Sequence, residues 1–294
     1  MINRVTNLTS MQAAQRNLQA GATKMARLQD QASSQRAINR PSDDPAGTVE
    51  SMRVRAAQRS NDQYSRNIDD GMGWLTTIDS TLGQASDIMR RVRDLTVQGA
   101  NDGTMSPTAK QSIAVELEGL KSDLMVQANA TYAGRTVFAG NSSAGVAVNP
   151  TNYSVTNRGT VERRVGDDTT VRVDVDAAAA FGSGSTSMFA VIDGIVNDLR
   201  NTGNNVGHYL GDLDTGMAAM VSERAAAGVR QSQLERAGGI NLEKSGSLEA
   251  QRAGVEDTDL GQVILNLKMQ EVAYQSTLAV TARVLQPTLM DFLH

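Results

Sequence analysis

His208 and His294 are the chain's only imidazoles, and it has no cysteine. Acid–base or metal chemistry would have to be assembled around them or from clustered carboxylates. The lack of Cys excludes a disulfide framework, a thiolate zinc site and a Cys nucleophile. A zinc ion takes three or four protein ligands, which only carboxylates could supply here. His208 stands beside Tyr209 near an expected helix start and reads as a half-exposed side chain. Asp43-Asp44 has the composition of a carboxylate pair for proton transfer or Ca²⁺. It directly precedes Pro45, however, and an acid followed by Pro at the first helical position is a helix-start signal. Asp167-Asp168 and Glu256-Asp257-Thr258-Asp259 lack the ligand spacing of an EF-hand loop and read as a turn and a cap, with Thr258 or Asp259 the capping residue. No Walker loop, Gly-x-Gly-x-x-Gly after a strand, or Gly-x-Ser-x-Gly is present. Gly182-Ser183-Gly184-Ser185 has linker composition. Arg90-Arg91-x-Arg93 and Arg163-Arg164 carry no interleaved aromatics and read as a solvated helix face and a strand edge. The expectation is therefore no catalytic residue, no cofactor, no metal and no enzymatic activity.

Composition points the same way. Aromatics are 3% and apolar residues 40% of 294 residues, so burial must come from narrow stripes of Leu, Ile, Val, Met and Ala. At roughly 150 residues per domain the length suggests about two domains. With 28 basic and 32 acidic residues the net charge is −4, which gives no reason to expect a nucleic-acid partner. No apolar run approaches the ~20 residues that span a bilayer. The N-terminal stretch is polar where a signal peptide needs an apolar block, so export would use a route other than the general secretory one.

The elements that would position any site are mostly helical, because five Pro in the whole chain leave room for long helices. Met11, Ala14, Leu18, Gly21, Met25, Leu28 and Ala32 alternate steps of three and four, the spacing of a coiled-coil seam. Thr9 and Gln12 stand as a capping box, and Pro41 predicts an end near Arg40. From Pro45 a helix is expected to about Gln98, best defined by Ile68, Met72, Leu75, Ile78, Leu82, Ala85, Met89, Val92 and Leu95. Ser106-Pro107 opens another, with Ile113, Leu117, Leu120 and Leu124, and a compact turn region follows from Thr131 to Asn141. Between 142 and 186 the period changes to that of strands, at Tyr153 and Val155, Val161–Val165 and Val171–Val175. Gly166-Asp167-Asp168 is a hairpin turn, and Phe181–Ser185 is expected to be a flexible exit. Helix returns at Met188–Leu199, then from about Asn204 toward Ala253, and finally from Leu260 to Phe292.

The expected fold is mainly α: a long helical bundle or coiled coil formed by the N- and C-terminal halves, with a small β-rich inserted domain. Its parts would be a terminal axial region (1–40 and 255–294), a bundle (41–141 and 187–254) and an outer domain (142–186). The symmetry implies an elongated molecule with the insertion at its far end. The two terminal stripes are thin and rich in Ala and Gly. Ordering such segments costs backbone entropy that their few large side chains cannot offset. They are expected to be frayed in the monomer and to order against neighbouring copies. Leu8, Met11, Leu18, Met25 and Leu28 at one end, and Ile264, Leu267, Leu278, Leu285 and Phe292 at the other, are the expected assembly interface.

Arg36-Ala37-Ile38-Asn39-Arg40-Pro41-Ser42-Asp43-Asp44-Pro45-Ala46-Gly47 resembles the stretch that follows the first helix in the flagellin superfamily. Its Pro-Ser-Asp-Asp-Pro form is similar to the hook-filament junction branch, the third hook-associated proteins. Asn67-Ile68-x-x-Gly71-x-x-Trp74-Leu75, Gly134–Gly140 and the ending Leu285–Leu293 carry the same resemblance, with Pro287 a departure from it. The resemblance covers nearly the whole chain and is weakest in 142–186. It implies a structural, motility-related protein of the extracellular bacterial flagellum, exported without a cleaved signal by the flagellar type III apparatus. The implied partners are further copies of itself in a ring, the first hook-associated protein, flagellin, and a cytoplasmic export chaperone gripping the C-terminal helix. No nucleic acid and no membrane are among them. A short filament flagellin, or a secreted enzyme with its site in 142–186, are the alternatives.

Overall fold

The computed structural model describes residues 2–101, 105–142, 145–156, 159–201 and 204–285. Its elements are α1 (Ile2–Ser34), α2 (Pro45–Gly99), α3 (Pro107–Ala128), β1 (Thr131–Tyr132), β2 (Arg135–Thr136), β3 (Glu162–Arg164), β4 (Thr170–Arg172), α4 (Ala177–Phe181), α5 (Met188–Arg200), α6 (Leu210–Glu256) and α7 (Leu260–Leu285). The fold is mainly helical, and its sheets are two small antiparallel hairpins, β1–β2 and β3–β4. Two compact units are present: residues 60–244, and residues 1–59 with 245–294.

Local chemistry sets most helix starts. Asp44 Oδ1 accepts from Gly47 N at 3.0 Å ahead of α2, and Ser106 Oγ accepts from Ala109 N at 3.2 Å ahead of α3. In both cases a Pro occupies the first helical position, where its missing N–H has no intrahelical partner to lose. Asp259 Oδ1 does the same for α7, accepting from Gln262 N at 3.1 Å.

In the 60–244 unit the burial pattern of α2 repeats every seven residues. Asn61, Ile68, Leu75, Leu82, Met89 and Thr96 are buried, interleaved with Ile78, Ala85 and Val92. On α6 the series is Leu213, Met220, Ala227, Leu234 and Asn241. A strict seven-residue repeat is the pattern of supercoiled helices. Ion pairs Arg224–Asp79 (2.7 Å) and Arg93–Asp214 (2.6 Å) fix the two helices antiparallel. Leu117 and Leu124 of α3, Ile192, Ile195 and Leu199 of α5, and Phe138, Phe181 and Phe189 complete one continuous core within 68–234.

At one end of this seam the polar contact is reciprocal. Asn61 Nδ2 donates to Asn241 O, and Asn241 Nδ2 donates to Asn61 O, both at 3.0 Å, and both residues are buried. A buried Asn pair at a seam position selects one register over its neighbours at some cost in stability. Asn61→Leu alone should destabilise by about 1–3 kcal/mol, because it strands the partner's buried amide. Asn61→Leu with Asn241→Leu should recover most of that loss, as measured by chemical denaturation of the four proteins in the cycle.

Three expectations are corrected here. Phe181 is no flexible exit: it is fully buried, ends α4, and packs edge-on to Phe138 at 5.3 Å. Tyr153 is not in a strand: its φ is 55°, and only a single bridge, Val148–Val155, forms nearby. The left-handed backbone is held because the Tyr153 ring stacks on Phe189 (5.5 Å) while its hydroxyl donates to Asp193 Oδ2 (2.5 Å). Gly166–Asp168 does form the turn between β3 and β4, but α1 already begins at Ile2, so Thr9 lies inside the helix rather than at its cap.

In the terminal unit, α1 and α7 pack antiparallel, with Gln270 Nε2 donating to Gly21 O at 3.3 Å. A Cβ on Gly21 would come within 3.3 Å of the Tyr274 ring, so glycine lets that ring lie against α1. Among the described residues this unit buries only Leu28, Val54, Leu248 and Val263 as apolar side chains.

Candidate assembly interface and its anchor

Helix α7 turns a seam of Val263, Leu267, Gln270, Tyr274 and Thr277 inward, where each is buried or half-buried. At 100° per residue, Leu265, Met269 and Val272 lie on the opposite side with Val280 at its edge, and all four are exposed. Leu260, Ile264 and Leu278 are exposed along one flank. A helix with apolar residues on two opposite sides needs cover for both, yet here only one side is covered. On α2 of the same unit, Val49 and Met52 are likewise exposed, three residues apart.

The expected interface residues divide between these surfaces. Met25, Leu267 and Leu278 meet in one groove of about 480 Å³ together with Gln29 and Tyr274. Leu28 is buried, Leu18 is half-buried, and Met11 and Ile264 are exposed. The side chains of Leu8 and Leu285, and all of Phe292, lie outside the described residues. The sequence reading missed Leu265, Met269, Val272 and Val280. A second stripe four, three and eight residues apart was present to be found.

The terminal unit is anchored by Glu256. Its side chain is buried and accepts from Ser51 Oγ (2.5 Å), from Arg55 Nε and Nη2 (2.5 and 2.6 Å), and from Arg252 Nη1 (3.3 Å). The fork of Arg55 is the main cause that holds this carboxyl at a pKa of about 2, against an ordinary 4.5. The backbone O of Glu256 accepts from Ala37 N at 2.7 Å, and Gln35 O accepts from Thr258 N at 3.3 Å. This pairing corrects the expected end of α1. The helix stops at Ser34 rather than near Arg40, and Gln35 takes a φ of 57°, because residues 35–37 spend their backbone bonds on 256–258.

The turn that follows is built by its acids. Asp43 Oδ2 accepts from Arg40 N at 3.0 Å, and a Cβ at Gly47 would sit 2.7 Å from Ile38 Cδ1, so Ile38 closes directly over the start of α2. Asp43 and Asp44 are thus occupied as turn and cap. Of the two expected caps, Thr258 and Asp259, Asp259 is the one that caps α7, and Glu256 close by is a buried ion-pair centre.

Elsewhere the charged groups are paired for structure. Arg90 pairs with Asp87, Arg91 with Glu116 (2.6 Å) and Arg163 with Asp70 (2.6 Å). His208 Nδ1 lies 2.9 Å from Asn205 O. Among the described residues no three His, Asp or Glu side chains are grouped to hold a metal, and no helix is long and apolar enough to cross a membrane.

One unit has a closed helical core, and the other a thinly buried helix pair with open apolar sides. Residues 5–143 match the bacterial flagellin N-terminal helical region. The Treponema phagedenis flagellar filament 33 kDa core protein is 24% identical over 284 residues, covering 96% of each chain. Bacillus subtilis flagellin is 27% identical over 266 residues, covering 85% of each. In fold, a flagellar hook-associated protein from Vibrio parahaemolyticus superposes with a TM-score of 0.68 at 20% identity, over 73% of this chain and all of that one. The flagellar hook-associated protein 3 from Legionella pneumophila gives 0.61 at 14% identity, over 67% and 96%. The chain thus carries the bacterial flagellin N-terminal helical region over residues 5–143, and over most of its length it is similar to flagellar filament proteins and flagellins.

Proposed function

We propose that this subunit joins the first hook-associated protein to the flagellin filament at the hook-filament junction, as a ring of copies. The observation that carries an assembly role is the uncovered apolar stripe Leu265–Met269–Val272–Val280 on a helix whose own unit buries little. The junction position is supported by the Pro41–Pro45 motif and by the fold shared with hook-associated proteins. In this reading residues 1–40 and 255–294 form the axial layer, 41–141 with 187–254 the bundle, and 142–186 an outer domain. Leu8, Met11, Leu18, Met25, Leu28, Ile264, Leu267, Leu278, Leu285 and Phe292 contribute to contacts between subunits, joined by the stripe that the sequence reading missed. The subunit leaves the cell through the flagellar type III apparatus, with an export chaperone covering its C-terminal helix until then.

A filament subunit is the second reading, favoured by the filament core proteins among the relatives that match over most of their length. Purified protein separates the two. A junction subunit should stay unpolymerised when seeded with its own aggregates and should add to isolated hooks that end in the first hook-associated protein. Long filaments of this chain alone would overturn the junction reading and support the other.

A further inference from the structure

Thirteen methionines are spread along the chain, but their exposure is not. Among the described residues only Met11 (50%), Met52 (66%) and Met269 (55%) are exposed, and all three belong to the terminal unit. Met89 and Met220 are fully buried in the 68–234 core, Met188 is buried, and Met25, Met72, Met105, Met125 and Met217 are half-buried. Thioether oxidation follows exposure of the sulfur. Among the described residues the exposed methionines are therefore concentrated on one unit, and one of them sits within its apolar stripe, four residues after Leu265 and three before Val272.

We propose that Met269 is an oxidative modification site, at which a hydroperoxide in the surroundings of the free subunit switches off its assembly. The sulfur lone pair takes the distal oxygen of the peroxide, the O–O bond breaks, and water (or the alcohol of an organic peroxide) leaves. Sulfur is oxidised by two electrons and the peroxide is reduced by two, so no further reagent is needed. The product carries a strong acceptor oxygen where the stripe has only carbon and sulfur. Burying that oxygen against an apolar neighbour without a donor is unfavourable, so the sulfoxide form is excluded from a dry interface. A subunit already in place has Met269 covered and is protected. The consequence for assembly rests on the assembly role proposed above, whereas the selectivity of the site does not.

The test treats the full-length protein with hydrogen peroxide and follows each methionine by peptide mass spectrometry over time. Met269 should oxidise measurably faster than Met89 and Met220, and equal rates would overturn the site. Treated wild-type protein should then fail to add to hook tips, while treated Met269→Leu protein, a volume-conserving change, should still add. Addition of Met269-oxidised protein as efficient as untreated, or equal loss in the Leu variant, would overturn the switch. Failure of untreated protein to add would defeat the assembly role and the consequence drawn from it, while the rate map would still decide the site.

Discussion

Leu265→Asp with Val272→Asp should leave the 68–234 core folded and abolish incorporation of the subunit into a flagellum. Both side chains are exposed on the side of α7 turned away from α1, so each substitution removes little burial within the chain. Exposed substitutions of this kind usually change stability by no more than about 0.5 kcal/mol. In an assembly the same positions are desolvated, and a buried carboxylate without a partner costs about 3–5 kcal/mol. Since about 1.4 kcal/mol is tenfold in affinity, each Asp should weaken a contact by at least about a hundredfold. Trp74, the only tryptophan and buried in the core, gives a clean reading of that core by its fluorescence during thermal unfolding. An unchanged melt with no incorporation is the expected pair of results. Melting of the core would mean that α7 belongs to the monomer's own interior.

Glu256→Gln should have the second largest effect, and it should fall on the terminal unit alone. The substitution keeps the shape but removes the charge that Arg55 and Arg252 share. A folded pKa of about 2 against an ordinary 4.5 corresponds to about 3 kcal/mol at neutral pH. Arg55 is partly exposed, so solvent screening trims this to about 2–3 kcal/mol. The sign follows from the depressed pKa. The stabilisation is fully present above pH 4.5 and is lost as pH falls through the window from 4.5 to about 2. Wild-type protein should therefore lose amide protection in residues 245–256 over that window. The Glu256→Gln protein should start lower and show no such step, and a matching acid step in the variant would assign the transition to another group.

The parts of this fold legible from sequence are those decided within a few residues. Asp44-Pro45 and Ser106-Pro107 start helices because cap and first turn are neighbours in the chain. The stripe from Ile68 to Leu95 announces its buried face by spacing alone, and Gly166–Asp168 turns its hairpin locally. The end of α1 was misread because the deciding bonds come from 256–258, which no local rule can supply. The anchoring role of Glu256 is hidden from the sequence for the same reason: the arginine that makes it an anchor lies on α2. Phe181 seemed to belong to a linker because the surrounding Gly and Ser outweighed one aromatic, whereas burial against Phe138 and Phe189 decides its place.

The proposed interface is half legible. A search for one amphipathic stripe on the last helix picks out Leu267, which half-closes the groove beside Met25, and Ile264 and Leu278 on the flank. It passes over Leu265, Met269, Val272 and Val280 because a single stripe assumes a single neighbour. Two apolar sides on one helix are the mark of a segment that meets a second partner outside its own chain.

Hydrogen exchange of the full-length protein, free in dilute solution and again after incorporation, tests the central claim most directly. Local stability tracks buried contacts. In the free subunit, amides of α1 and α7 should exchange fast while those of α2, α3 and α5 within 68–234 stay protected. After incorporation α1 and α7 should become protected to a similar degree. Strong protection of both terminal helices in the free subunit, unchanged on incorporation, would contradict the claim that neighbouring copies complete their burial.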